Sequence, residues 1–162
     1  MAARLDAWEI GPEDLAVTGA ARGADILFAE LCLDRRADVR LLLAMPEEQF
    51  VERSVRLPGT AWEARYRSLI ERCEVWYLSD EPALAQPSDA FDAGNRWILD
   101  TCHAEASPDR FYIMLVWDEV PIGDGVGGTA DFARAAERYD ACITIVNPLR
   151  ISRAGANEHG TR

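Results

Sequence analysis

Short apolar runs alternate with longer stretches of helical periodicity along almost the whole chain, and this alternation constrains the fold more than any other feature. Leu15, Ala16, Val17 and Thr18 form a brief run that stops at Gly19. Residues 24–36 then place Ile26, Leu27, Phe28, Leu31 and Cys32 at helical spacing before Asp34, Arg35 and Arg36 close the stretch. Residues 39–45 form an apolar run, interrupted at Arg40, up to Pro46, as in a strand buried on both faces. A short helix is expected over 47–55, ended by Leu57, Pro58 and Gly59. Thr60 and Glu63 have the spacing of a capping box, in which hydroxyl and carboxylate each satisfy an orphan backbone N–H. The helix they open carries Trp62, Tyr66, Leu69, Ile70 and Cys73 on one stripe.

Residues 75–78 read as a third strand and 79–90, with Pro82 and Pro87, as a long loop that is either a lid or a plain surface excursion. A helix over 91–106 puts Trp97, Ile98, Thr101 and Cys102 on one face. A fourth strand (111–117), a glycine-rich loop (120–128), a helix (129–139) and a fifth strand (142–146) complete the series. Residues 151–162 read as a polar tail. Strands separated by helical crossovers imply parallel pairing with helices on both faces. The expectation is an α/β fold: one three-layer α/β/α domain, residues 1–150, on a mainly parallel sheet of about five strands.

The charge balance narrows the partners. With 28 carboxylates against 17 basic residues the net charge is −11, which repels a phosphate backbone and argues against duplex nucleic acid and membrane surfaces. Residues 1–11 include Asp6 and Glu9 and lack an apolar signal core, so a cytoplasmic protein is expected. Every basic residue is arginine, which excludes Schiff-base lysine chemistry and a P-loop lysine. Cys32, Cys73, Cys102 and Cys142 stand far apart beside apolar neighbours, as buried free thiols do, and His103 is the one histidine before the tail. Neither a metal site nor a Ser-His-Asp or Cys-His set is expected.

Open parallel sheets bind ligands at the carboxyl ends of their strands, and two loops fall at that edge. The first is Thr18-Gly19-Ala20-Ala21-Arg22-Gly23-Ala24-Asp25, running from strand to helix. Glycine allows close backbone approach to an anion, the helix N-terminus offers unpaired N–H groups, and Arg22 adds a bidentate donor. A tight turn with a helix-capping Asp25 explains the same residues. The second loop, Gly123-Asp124-Gly125-Val126-Gly127-Gly128-Thr129, holds four glycines in six residues, which costs much chain entropy for a bare connector. Thr129 is placed either to cap the next helix or to donate to a phosphate oxygen. Together the loops read as a divided phosphate cradle, with Gly19, Ala20, Arg22, Gly23, Asp25, Gly125, Gly127, Gly128 and Thr129 as candidate contacts. Asn95 and Arg96 are further candidates, although a solvated helix face accounts for them equally.

At these residues the chain resembles the SLOG superfamily, Rossmann-like nucleotide-binding domains that include the DprA and LOG proteins. The resemblance rests on residues 18–25 with Ile26-Leu27-Phe28-Ala29-Glu30, on Asn95-Arg96-Trp97-Ile98-Leu99, and on residues 123–129, and spans roughly residues 14–148. It implies a Rossmann-like fold and a nucleotide-derived ligand, sensed by a domain that is often joined to an effector or self-associates; no separate cofactor is implied. A few branches cleave N-glycosidic bonds instead. Two departures stand out. Related domains usually begin with a further strand, so this is either a shortened version or one whose missing edge comes from elsewhere. The LOG hydrolases carry Gly-Gly-x-Gly-Thr-x-x-Glu, and Phe132 occupies that glutamate position, with Asp131 about a hundred degrees away on the helix. Three functions are therefore expected in order: a non-catalytic nucleotide sensor, a nucleotide N-glycosidase using Asp131, Asp25 or Glu30, and a partner-binding module with a decayed pocket.

Overall fold

A computed structural model describes residues 1–78, 87–107, 109–120 and 127–150. A first helix, α1 (Ala2–Ala7), precedes strand β1 (Leu15–Thr18), helix α2 (Ala24–Asp34) and strand β2 (Asp38–Leu43). Next come α3 (Glu47–Phe50), a π-helical turn (Val51–Val55), α4 (Trp62–Ile70) and β3 (Glu74–Tyr77). The chain ends in α5 (Pro87–Glu105), β4 (Tyr112–Val116), α6 (Thr129–Ala136) and β5 (Cys142–Val146). The fold is thus mixed α/β, and every strand pairing is parallel.

The single sheet of five strands is corrected. Among the described residues the strands form a three-stranded sheet, ordered β1-β2-β3, and a two-stranded sheet, β4-β5. The physical reason lies between β1 and β4, which side chains join where no backbone ladder does. Trp8 stacks on Tyr112 with ring centroids 4.7 Å apart, Arg110 Nη2 lies 2.8 Å from Asp14 Oδ1, and Tyr112 and Met114 pack against the core of the first sheet.

That first core is dense. Leu41 and Leu43 of β2 pack in one cluster with Ile26, Ala29 and Cys32 of α2 and Tyr66 and Leu69 of α4, and Leu42, which alternates to the other face, is buried as well. Helix α5 packs on β1 and β2, and Gly94 sets the distance of approach. A Cβ there would stand 2.8 Å from the Ala44 Cβ, closer than packed carbons come. A second core gathers Leu99, Phe111, Ile113, Leu115 and Ala136 where α5 and α6 cover β4.

Several local expectations are also corrected. Thr60 and Glu63 form no capping box: the Thr60 hydroxyl donates to the Leu57 carbonyl at 2.7 Å, and Arg56 draws Glu63 into an ion pair at 3.0 Å. The segment 47–55 changes from α to π geometry at Val51. Helix α5 starts at Pro87, inside the expected loop, of which residues 79–86 lie outside the described part, as does the tail from 151. All four cysteines are free, but only Cys32 is fully buried: Cys73 and Cys102 are half-buried, and Cys142 on β5 is exposed. No helix among the described residues is long and apolar enough to cross a membrane.

Candidate functional site

The loop between β1 and α2 owes its shape to residues that leave ordinary backbone geometry. Ala20 is fully buried with φ 60° and Gly23 has φ 94°, so the chain twice enters the left-handed region within four residues. Asp25 braces this path. Its Oδ2 accepts the Ala21 N–H at 3.2 Å, and it would lie 3.3 Å from a Cβ at position 19, which is why glycine fits there. Burial pushes the Asp25 carboxyl above its ordinary range, opposed in part by hydrogen bonds from the Ala21 amide and the Thr18 hydroxyl. Asp25 thus ties down the loop instead of capping α2, whose N-cap is Gly23.

The end of the second glycine-rich loop is held as tightly. Gly127 has φ 81°, and a Cβ there would lie 2.6 Å from the Phe91 Cβ and 3.0 Å from the Asp92 amide nitrogen. Its carbonyl accepts from Asn95 Nδ2 at 2.8 Å, and its N–H donates to Asp131 Oδ2 at 2.7 Å. The backbone on both sides of one residue is therefore clamped between α5 and α6. Gly128 is the N-cap of α6, and Thr129, the first helical residue, makes no side-chain cap. Gly123 and Gly125 lie outside the described residues.

Both loops open on one cavity of about 490 Å³, a volume typical of small-molecule sites. Of the residues expected from sequence, Gly19, Arg22, Asp25, Asn95, Gly127, Gly128 and Thr129 line it. Ala20 and Gly23 shape the loop behind it. Arg96 does not line it: on the outer side of α5 it pairs with Asp92, one turn earlier. That pairing suits an exposed helix face, the alternative held open for this residue.

Three contributors come from a segment to which the sequence reading assigned no site role. Phe50, Arg53 and Ser54, from α3 and the π-helical turn, also line the cavity. The Arg22 N–H donates to the Ser54 carbonyl at 2.8 Å and joins this turn to the first loop. The turn follows the carboxyl end of β2, so the strand-end rule that selected residues 18–25 also selects it. The rest of the wall is apolar, with Phe28, Leu42, Phe91, Ile98, Met114 and Phe132.

The charges in this space are uneven. Arg22 and Arg53 have no ion-pair partner among the described residues, whereas the neighbouring Arg56, Arg65 and Arg67 pair with Glu52 and Glu63, Glu30, and Glu47 respectively. Asp25 is the one carboxylate among the described lining residues. Of the other acids considered for catalysis, Glu30 is bound by Arg65, whose Nε lies 2.8 Å from Oε1, and Asp131 by the Gly127 amide and Arg134.

Comparison with models of known protein families, with curated proteins and with solved structures finds no match to this chain in any of the three.

Proposed function

We propose that this chain binds a nucleotide or nucleotide-derived small molecule as a non-catalytic sensor or regulatory domain, in the manner of the SLOG-like domains it resembles. The observation that carries this reading is the convergence of residues 18–25, Asn95 and residues 127–129 on one cavity with an apolar wall and two guanidiniums that have no ion-pair partner among the described residues. Backbone amides at the start of α2 and the guanidinium of Arg22 suit phosphate, while Phe28, Met114 and Phe132 suit the flat face of a base. In the same reading the five strands form one Rossmann-like, three-layer arrangement, and the protein works in the cytoplasm.

Binding without turnover follows from the carboxylates. Cleavage of an N-glycosidic bond develops positive charge on the ribosyl centre, which a nearby carboxylate must stabilise while a second group activates water or the leaving base. Phe132 lines the cavity and does neither, Asp25 is occupied by its own loop, and Glu30 and Asp131 are committed to arginines. The test is chromatography after prolonged incubation with AMP, ATP, NAD and cyclic dinucleotides, beside a thermal-shift series. The expected result is a raised Tm with at least one nucleotide and intact ligand afterwards. Free base or ribose phosphate, lost on Asp131→Asn or Asp25→Asn, establishes the glycosidase instead. No shift with any nucleotide favours the partner-binding module.

A further inference from the structure

We propose that the π-helical turn Val51–Val55 is a second phosphate-binding element, and that the ligand carries a diphosphate whose adjacent phosphoryl groups are gripped by Arg22 and Arg53. This rests on the nucleotide reading above and deepens it.

The turn buries three residues and holds two, Glu52 and Arg53, outward. Val51, Ser54 and Val55 are buried, and the Arg56 N–H reaches back to the Val51 carbonyl at 2.7 Å, closing the wide ring of a π turn. An extra residue in a helical turn costs hydrogen-bond geometry and recurs at functional sites. Here the exposed residue facing the cavity is Arg53. The same turn is stitched to the first loop through the Arg22 N–H and Ser54 carbonyl, so the two guanidiniums are carried by segments that are directly bonded to each other.

Electrostatics gives the second line of support. The chain has a net charge of −11, yet of the acids beside the turn Glu52 is taken by Arg56 and Glu47 by Arg67, while Glu48 has no ion pair among the described residues. Two guanidiniums on one cavity with no ion-pair partner among the described residues repel each other, and a bound anion removes that cost. The number of donors sets the anion. Each guanidinium presents a two-pronged fork, and the start of α2 adds backbone N–H groups. A bidentate fork pairs with two oxygens of one phosphoryl group, so two forks on separate segments match two adjacent phosphoryl groups better than one phosphate monoester. A diphosphate offers enough acceptors on neighbouring centres, and the apolar wall remains for the base.

The experiment is calorimetric titration of the full chain with ADP, AMP and inorganic pyrophosphate, in the parent, Arg53→Ala and Arg53→Lys. Because Arg53 is exposed, both variants should retain the parent Tm. The parent is expected to bind ADP about tenfold or more tightly than AMP, a ratio that Arg53→Ala reduces to about threefold or less and Arg53→Lys leaves intermediate. Equal affinity for ADP and AMP, or an ADP preference that survives Arg53→Ala, overturns the diphosphate assignment and leaves the nucleotide site standing. Pyrophosphate binding that requires Arg53, without binding of either nucleotide, upholds the second phosphate element and overturns the nucleotide reading. A folded parent that binds none of the three overturns both.

Discussion

The two halves of this molecule differ in how firmly they are built, and the candidate site lies across both. In the half around β2 the strand is buried on both faces under α2, α4 and α5. In the half around β4 the neighbouring β5 leaves Ile143 38% and Ile145 43% exposed, although β4 itself is well covered. The first loop and Arg53 belong to the firm half, and Gly127–Thr129 belong to the lighter one. Ligand binding across such a boundary joins regions of unequal stability, a common arrangement in domains that respond to a ligand.

The largest expected effect sets core against edge. Leu41→Ala, at a position with no exposed surface, should lower unfolding stability by about 2–5 kcal/mol, and Ile143→Ala by less than about 1 kcal/mol. Equilibrium urea denaturation reads both, and equal losses would break the comparison.

The second effect separates a clash from strain alone. At Gly127 an added Cβ meets Phe91 and the φ is positive, whereas at Gly23 the φ is positive but nothing lies within 4 Å of the added Cβ. Gly127→Ala should therefore cost about 2–4 kcal/mol and Gly23→Ala about 1 kcal/mol, with urea midpoints as the measure. A larger loss at Gly23 would show that the firm half tolerates less than its open space suggests.

A smaller effect depends on pH. Burial raises the Asp25 pKa above its ordinary 3.8, so the folded state holds the proton more tightly than the unfolded one. The stabilisation linked to that proton is complete below 3.8 and is lost as pH rises through the raised value. Asp25→Asn stays neutral and keeps an acceptor for the Ala21 amide. Relative to the parent its stability should rise across that window and level off above it. A relative stability that falls with rising pH would mean that the charged carboxylate is what the loop requires.

The smallest effect compares thiols. Burial pushes both Cys32, in the firm half, and Cys102, under the lighter half, up to about 12, so unequal labelling of the two reports local opening. Labelled with a maleimide at neutral pH, the exposed Cys142 should react first, then Cys102, then Cys32. Cys32 reacting before Cys102 would reverse the assigned order of the halves.

Strands and helices were legible wherever burial imposed a pattern, as in the apolar run of β2 and the stripe of α4. The two-sheet division was not, because parallel strands separated by crossovers read alike whether or not β1 and β4 share backbone hydrogen bonds. The capping box failed because Arg56 takes the Glu63 carboxylate, a partner that depends on the path of the π turn. Within the cavity the glycines and Arg22 were legible from backbone chemistry at a strand end. Arg53 was not, since an arginine in a short helix usually faces solvent, and its place at the site depends on tertiary contacts, the bond from Arg22 to Ser54 and the packing of Val51 and Val55 in the core. Arg96 shows the opposite: its neighbour Asn95 reaches Gly127 while Arg96 turns outward on the same helix.

Amide hydrogen exchange of the full chain with and without saturating ADP tests the central claim most directly, because it reads both halves in one measurement. Slowed exchange is expected together in residues 18–25, in the π-helical turn and in residues 127–129, with β5 unchanged. Protection of one loop without the other, or protection confined to surfaces away from the cavity, would contradict a nucleotide site assembled from the two halves.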